Sequence, residues 1–195
     1  MKKLAVIFPG IGYHADKPLL YYGGKLAAEA GYKEQIKVSY TTTQKKIRGD
    51  MDKMKKAFEE LYVQAKDSLK EVKWDEYDDI LFISKSIGTV IAMKYASENK
   101  LDKVRQILYT PLEATFQIAE GSGAATDMEA DRDAIAFIGT ADPWSSVPEV
   151  IALSQKSGVP IHVYDDADHS LETDDTIENL HIIRDVMKKS KIFII

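Results

Sequence analysis

The chain has 195 residues, 45% of them hydrophobic and 29% charged, which is the make-up of an ordinary globular protein with room for a sizeable core. A net charge of −5 argues against a nucleic-acid surface, and the absence of cysteine excludes disulfides, thiolate catalysis and cysteine-held zinc. Met1-Lys2-Lys3 starts as a signal peptide does, but the apolar run that follows stops at Pro9-Gly10, too short for a secretory core. No run approaches a membrane span, so the expected location is cytoplasmic.

Strand-like and helix-like segments alternate along the chain. Leu4–Phe8 is a continuous apolar run ending at Pro9-Gly10, consistent with a strand buried on both faces. Pro18–Ala30 reads as a helix closed by Gly31, and Gln35–Thr41 as a strand with Ile36, Val38 and Tyr40 alternating. Asp52–Val72 carries Met54, Phe58, Leu61, Tyr62, Ala65 and Leu69 at helical spacing, with its lysines on the wet face. Asp79–Ile83 is the third strand and Gly88–Lys100 the next helix. Val104–Tyr109 and Ala134–Ile138 are strands, Val147–Ser157 is a helix before Gly158, Pro160–Tyr164 is the sixth strand and Thr173–Lys189 the last helix.

This repeat predicts one α/β domain over residues 1–195, a three-layer sandwich with a mostly parallel sheet of about six strands. Little length is left for a lid. Pro111–Arg132, with Gly121-Ser122-Gly123 near its middle, is the one long stretch without a regular pattern. The apolar end, Lys191–Ile195, reads as an edge strand, a packed tail or a homodimer contact.

Ser84-Lys85-Ser86-Ile87-Gly88 stands between a buried strand and a helix. Ser86 there is exposed at the sheet edge, with a helix N-terminus aimed at any charge that develops beside it. Asp142 follows the fifth strand and His169 the sixth. In a parallel sheet these ends share one edge, so the three residues can converge. A serine needs a base, a histidine has a suitable pKa, and a carboxylate fixes the imidazole tautomer. Backbone donors for an oxyanion are available at Ile87 and, in Phe8-Pro9-Gly10-Ile11-Gly12, at Ile11.

These motifs, in the order Ser, Asp, His, resemble the α/β-hydrolase superfamily over nearly the whole chain, in its small cap-free members related to esterases and dienelactone hydrolases. The resemblance implies cleavage of an ester, thioester or amide through an acyl-enzyme, with a small acyl substrate and no metal or organic cofactor. Two positions depart from the pattern: Ser84 stands for the first elbow glycine, and Pro9-Gly10 for a histidine-glycine pair. The altered elbow keeps open a second reading, a non-catalytic binding or regulatory protein on the same scaffold.

Other residues are weighed for each role. Glu113, Asp165, Asp166 and Asp168 are alternatives to Asp142, and the acidic run lacks the spacing of a calcium loop. Gly12, Tyr13, His14, Lys85 and Trp144 are candidate substrate contacts, with Tyr13, Tyr109 and Trp144 as walls of an acyl pocket. Lys85 is expected to point to solvent, its other use being attraction of an anionic substrate. His162 and His181 are assigned structural places.

Overall fold

The computed structural model describes residues 1–101, 104–121 and 134–195, with the side chains of 118–121 left aside. Its six strands are β1 (Lys3–Phe8), β2 (Glu34–Lys37), β3 (Asp79–Lys85), β4 (Val104–Tyr109), β5 (Ala134–Gly139) and β6 (Ile161–Tyr164). They form one parallel sheet in the order β2-β1-β3-β4-β5-β6. The helices are α1 (Pro18–Glu29), α2 (Met51–Leu69), α3 (Ile87–Glu98), α4 (Glu113–Gly121), α5 (Val147–Lys156) and α6 (Thr176–Ile194), with a short 3-10 turn at Trp74–Glu76.

Side-chain alternation sorts the sheet into two buried faces. Ala5, Ile7, Leu81, Ile83, Ile107 and Phe137 face Leu19, Leu20 and Ala27 of α1 and Ile182 and Val186 of α6. Leu4, Val6, Phe8, Ile80 and Phe82 face Leu61 and Ala65 of α2 and Val90 and Ile91 of α3. A third cluster joins Leu108, Ala136 and Ile138 to Phe116 of α4 and Val150 of α5. The expected three-layer α/β sandwich is therefore present, and no inserted lid domain occurs among the described residues.

Several boundaries differ from expectation for local reasons. β2 stops at Lys37 instead of Thr41. Val38 N–H still donates to Ile7 O (2.9 Å), but β1 ends at Phe8 and offers no further ladder. α6 begins at Thr176 because the Asp175 carboxylate caps it, accepting from Ile177 N–H (2.7 Å) and Glu178 N–H (3.1 Å). The apolar C-terminus continues that helix to Ile194, so it forms no edge strand; Ile194 is buried while Ile192 and Ile195 stay exposed. Within the segment expected to be irregular, α4 forms, while residues 122–132 lie outside the described part. No helix among the described residues is long and apolar enough to cross a membrane.

Candidate active site

The β3–α3 junction is a tightly constrained turn. Ser86 adopts φ 57° and ψ −129°, a left-handed-side conformation that L-residues avoid unless their surroundings enforce it. Those surroundings are close. A Cβ on Gly88 would lie 2.4 Å from Phe8 O and 2.5 Å from Pro9 O, so only glycine lets α3 start against the β1 loop. Ser84, at the departing elbow position, is fully buried and its hydroxyl donates to Ile107 O on β4 (3.1 Å). The serine satisfies its own polar atom within the sheet, which explains why this departure is tolerated.

The loops after β5 and β6 bring the remaining groups to Ser86. Thr140 N–H donates to Tyr164 O (2.9 Å), Ala141 N–H to Ala167 O (3.0 Å), and Asp166 N–H to Thr140 Oγ1 (2.8 Å). Gly139 sits so near Ala167 that an added Cβ would fall 2.0 Å from its carbonyl oxygen. His169 Nδ1 lies 2.6 Å from Asp142 Oδ2, and its Nε2 lies 2.7 Å from Ser86 Oγ. A carboxylate only accepts, so Nδ1 carries the proton and Nε2 accepts from the Ser86 hydroxyl. The Asp142 side chain is fully buried and that of His169 is 15% exposed. Asp142 Oδ1 is occupied by Trp144 N–H (2.9 Å), which fixes the carboxylate plane.

The His169 pKa is lowered, chiefly by burial and further by the charge of Lys85, while the Asp142 hydrogen bond opposes the shift. The imidazole is thus neutral and able to accept a proton at physiological pH. The weighed alternatives to Asp142 are engaged elsewhere. Glu113 Oε1 accepts from Ser146 N–H (2.5 Å), and Asp168 Oδ1 accepts from Ser170 N–H (2.6 Å) and Glu172 N–H (3.1 Å). Asp165 and Asp166 are exposed.

Ile87 is the first residue of α3, where a helix leaves its N–H groups without intrahelical partners. The facing loop turns between Gly10 and Tyr13, whose backbones bond reciprocally (3.1 and 3.3 Å), with Ile11 and Gly12 at the tip and Gly12 at φ 74°. This loop runs against the elbow: a Cβ on Gly10 would lie 3.1 Å from Ser86 Cβ. The buried Tyr40 hydroxyl donates to Pro9 O and pins the loop from outside.

Not every candidate contact reaches this space. Trp144 does, its ring centroid 5.9 Å from that of His169. Tyr109 does not wall a pocket: it is fully buried, its hydroxyl paired with Ser190 on α6 (3.1 Å). Tyr13 is likewise a core residue, accepting from Leu19 N–H (3.1 Å). His14 is exposed, 4.0 Å from Asp16. His162 lies against Phe137, and His181 is exposed beside Glu178. The largest correction is Lys85. It is only 1% exposed, its Nζ 5.0 Å from the Tyr13 ring centroid, and does not point to solvent. The signal was in the strand: residues 81, 83 and 85 share a side, and Leu81 and Ile83 both face the α1–α6 core.

No family model matches the sequence, and no curated protein matches it. Solved structures do match in shape. Est1E from Butyrivibrio proteoclasticus, seen with ferulic acid, superposes with a TM-score of 0.62 at 15% identity, covering 98% of this chain and 87% of that one. An α/β serine hydrolase without a lid from Xanthomonas campestris gives 0.58 at 10% identity, covering 96% and 80%. An α-β serine hydrolase homologue from Coxiella burnetii gives 0.58 at 16% identity, covering 96% and 84%. The chain has the α/β-hydrolase fold.

Proposed function

We propose that this protein is a serine hydrolase that cleaves a small carboxylic ester or thioester through an acyl-enzyme. The observation that carries the reading is the continuous hydrogen-bonded chain from Ser86 through His169 to Asp142, set at a strained strand-to-helix turn. Ser86 Oγ attacks the acyl carbonyl while His169 Nε2 takes its proton. Negative charge then grows on the carbonyl oxygen, beside the N–H groups of Ile87 and Ile11. The tetrahedral intermediate collapses, the C–O or C–S bond breaks, and His169 returns the proton to the departing alcohol or thiol. Water repeats the sequence on the acyl-enzyme, releasing the acid and restoring Ser86. Asp142 holds the imidazole tautomer and stabilises the imidazolium formed in each half.

Ile87 and Leu112 are nearly buried next to this site and Trp144 packs on their cluster, offering an apolar wall to an acyl chain. Est1E with its bound carboxylic acid and the lidless serine hydrolase support an acyl substrate and a serine nucleophile. The test is labelling with a fluorophosphonate probe, wild type beside Ser86→Ala. The expected result is stoichiometric labelling of wild type and none of the variant, with unchanged circular dichroism. A folded wild type that does not label would overturn the hydrolase reading in favour of a binding protein on this scaffold.

A further inference from the structure

The Ser86 carbonyl is held by a chain of buried hydroxyls that the proposed reaction does not use. It accepts from Thr89 N–H (2.8 Å) and from the Thr89 hydroxyl (2.6 Å), one turn along α3. Thr89 Oγ1 lies 2.7 Å from Thr115 Oγ1 on α4, and Thr115 Oγ1 lies 3.2 Å from Leu112 N. Thr115 is the third residue of α4, the position from which a side chain reaches back to the N–H just ahead of a helix. Thr89 and Thr115 are both fully buried, so bulk water does not compete for these bonds.

The ends of this chain fix the direction of every bond in it. Leu112 N–H can only donate, Ser86 O can only accept, and each hydroxyl has a single proton to give. Thr89 therefore gives its proton to Ser86 O, and Thr115 gives its proton to Thr89 Oγ1. The bonds run one way, from Leu112 N–H through Thr115 and Thr89 to the carbonyl of the nucleophile. Bonds ordered in this way polarise one another, and each is stronger for the one behind it. Ser86 O and Ile87 N–H are the two poles of one peptide group and point in opposite directions across its trans bond. A stronger pull on that oxygen makes the N–H a stronger donor.

We propose that Thr89 and Thr115 are positioning residues of this site: their hydroxyls, strung between Leu112 N–H and Ser86 O, polarise and fix the Ser86–Ile87 peptide, so that Ile87 N–H meets the oxyanion as a stronger and less mobile donor. The inference rests on the hydrolase reading for its consequence, not for the hydrogen-bond chain itself. Ser86 is where such fixing counts. Its backbone is strained at φ 57°, and its hydroxyl is committed to His169 (2.7 Å) and does not cap α3. The same first turn of α4 also reaches the acid. Glu113 Oε1 accepts from Ser146 N–H (2.5 Å), in the loop that carries Asp142. One helix start thus holds both the nucleophile's peptide and the acid loop.

The experiment follows the Ile87 amide nitrogen by NMR in wild type, Thr115→Val and Thr115→Ser. Valine keeps the shape and removes the hydroxyl; serine keeps the hydroxyl. The resonance moves upfield in Thr115→Val and returns toward the wild-type position in Thr115→Ser. In parallel, the fluorophosphonate labelling rate of the folded protein falls roughly threefold in Thr89→Val, the scale of weakening an oxyanion donor without removing it. It falls less in Thr115→Val, and Thr89→Ser restores it. The double variant labels no more slowly than Thr89→Val, because the chain is already cut at its last link. Should Thr89→Val not fold, Thr115→Val and Thr115→Ser carry both readouts. An Ile87 resonance unmoved in Thr115→Val would overturn the proposal, whether or not the protein labels, and so would a Thr89→Val variant that labels at the rate of an active wild type. A wild type that does not label, with an Ile87 resonance that moves in Thr115→Val, would leave the polarised peptide standing and remove the hydrolase reading.

Discussion

The two ends of the sheet each hold a cation, half-buried at one and buried at the other, and they treat it in opposite ways. At the N-terminal edge, Arg105 donates to Phe193 O (3.0 Å), Ile194 O (3.1 Å), the Tyr32 hydroxyl (2.5 Å) and Asp79 Oδ2 (3.0 Å), with Lys3 Nζ 3.3 Å from the same carboxylate. The guanidinium pKa is raised, although desolvation works against it. At the C-terminal edge, Lys85 has a ring face and two carboxylates at a distance, and its pKa is lowered. One edge spends its polar groups on closing the sheet against α6. The other leaves a charge under-partnered beside the strained Ser86, and positive φ recurs there at Thr110, Asp166 and Leu171. Full pairing favours stability; incomplete pairing keeps a group's protonation responsive to its neighbours.

The contrast predicts that the two edges fail differently. The largest effect belongs to Asp142→Asn. The amide lets the imidazole adopt the other tautomer, whose Nε2 carries a proton and cannot accept one from Ser86. The labelling rate then falls about 10³–10⁴-fold while the melting temperature moves little. Arg105→Met breaks the other edge, stranding the Tyr32 hydroxyl, the Asp79 carboxylate and two carbonyls. It costs about 2–3 kcal/mol in urea unfolding, tempered by partial exposure, and leaves the labelling rate of the folded protein unchanged. A loss of labelling in folded Arg105→Met would show that the edges are not independent.

Lys85→Met sharpens the comparison through pH. A base whose pKa is about 7 when folded, against an ordinary 10.5, binds fewer protons in the native state between those values. Its burial penalty is therefore complete below pH 7 and is relieved as pH rises toward 10.5. The methionine variant is expected to be more stable than wild type by about 1–2 kcal/mol at pH 6, once packing changes are set against the charge removed, with the gain shrinking by pH 9. A gain that does not vary with pH would mean that Lys85 keeps its ordinary pKa in the folded protein and is charged there as it is in the unfolded chain.

The strand ends were legible because continuous apolar runs bounded by Pro9-Gly10, Gly139 and the Ser84–Gly88 turn leave few other arrangements. Placing Ser86, Asp142 and His169 after β3, β5 and β6 then followed from parallel topology alone. Burial of Lys85 was harder to see, because a lysine beside a nucleophile suggests a solvent-facing charge, and the ring it stands on, Tyr13, comes from the loop after β1, far away in the sequence. β2 is shorter than its sequence pattern for a related reason. The Ile36, Val38, Tyr40 alternation is real, but the ladder ends with its neighbour, β1, and the last of these residues is put to another use.

That residue is Tyr40, which supports the smallest prediction. Its hydroxyl donates to Pro9 O, and on the opposite side the same peptide lies where a Cβ on Gly88 would clash. The Pro9 peptide is thus held between α3 and Tyr40, and Ile11 lies two residues further along. Tyr40→Phe keeps the ring and removes the donor. The lost hydrogen bond costs about 1 kcal/mol, or about 2–4 °C in melting temperature for a chain of this size. If the oxyanion is met by Ile11 N–H, a loosened loop also lowers the labelling rate by about threefold, because a fixed donor is worth more than a mobile one. A melting shift with an unchanged rate would mean that Gly88 packing alone sets the loop, and that the donor facing Ile87 does not depend on Tyr40.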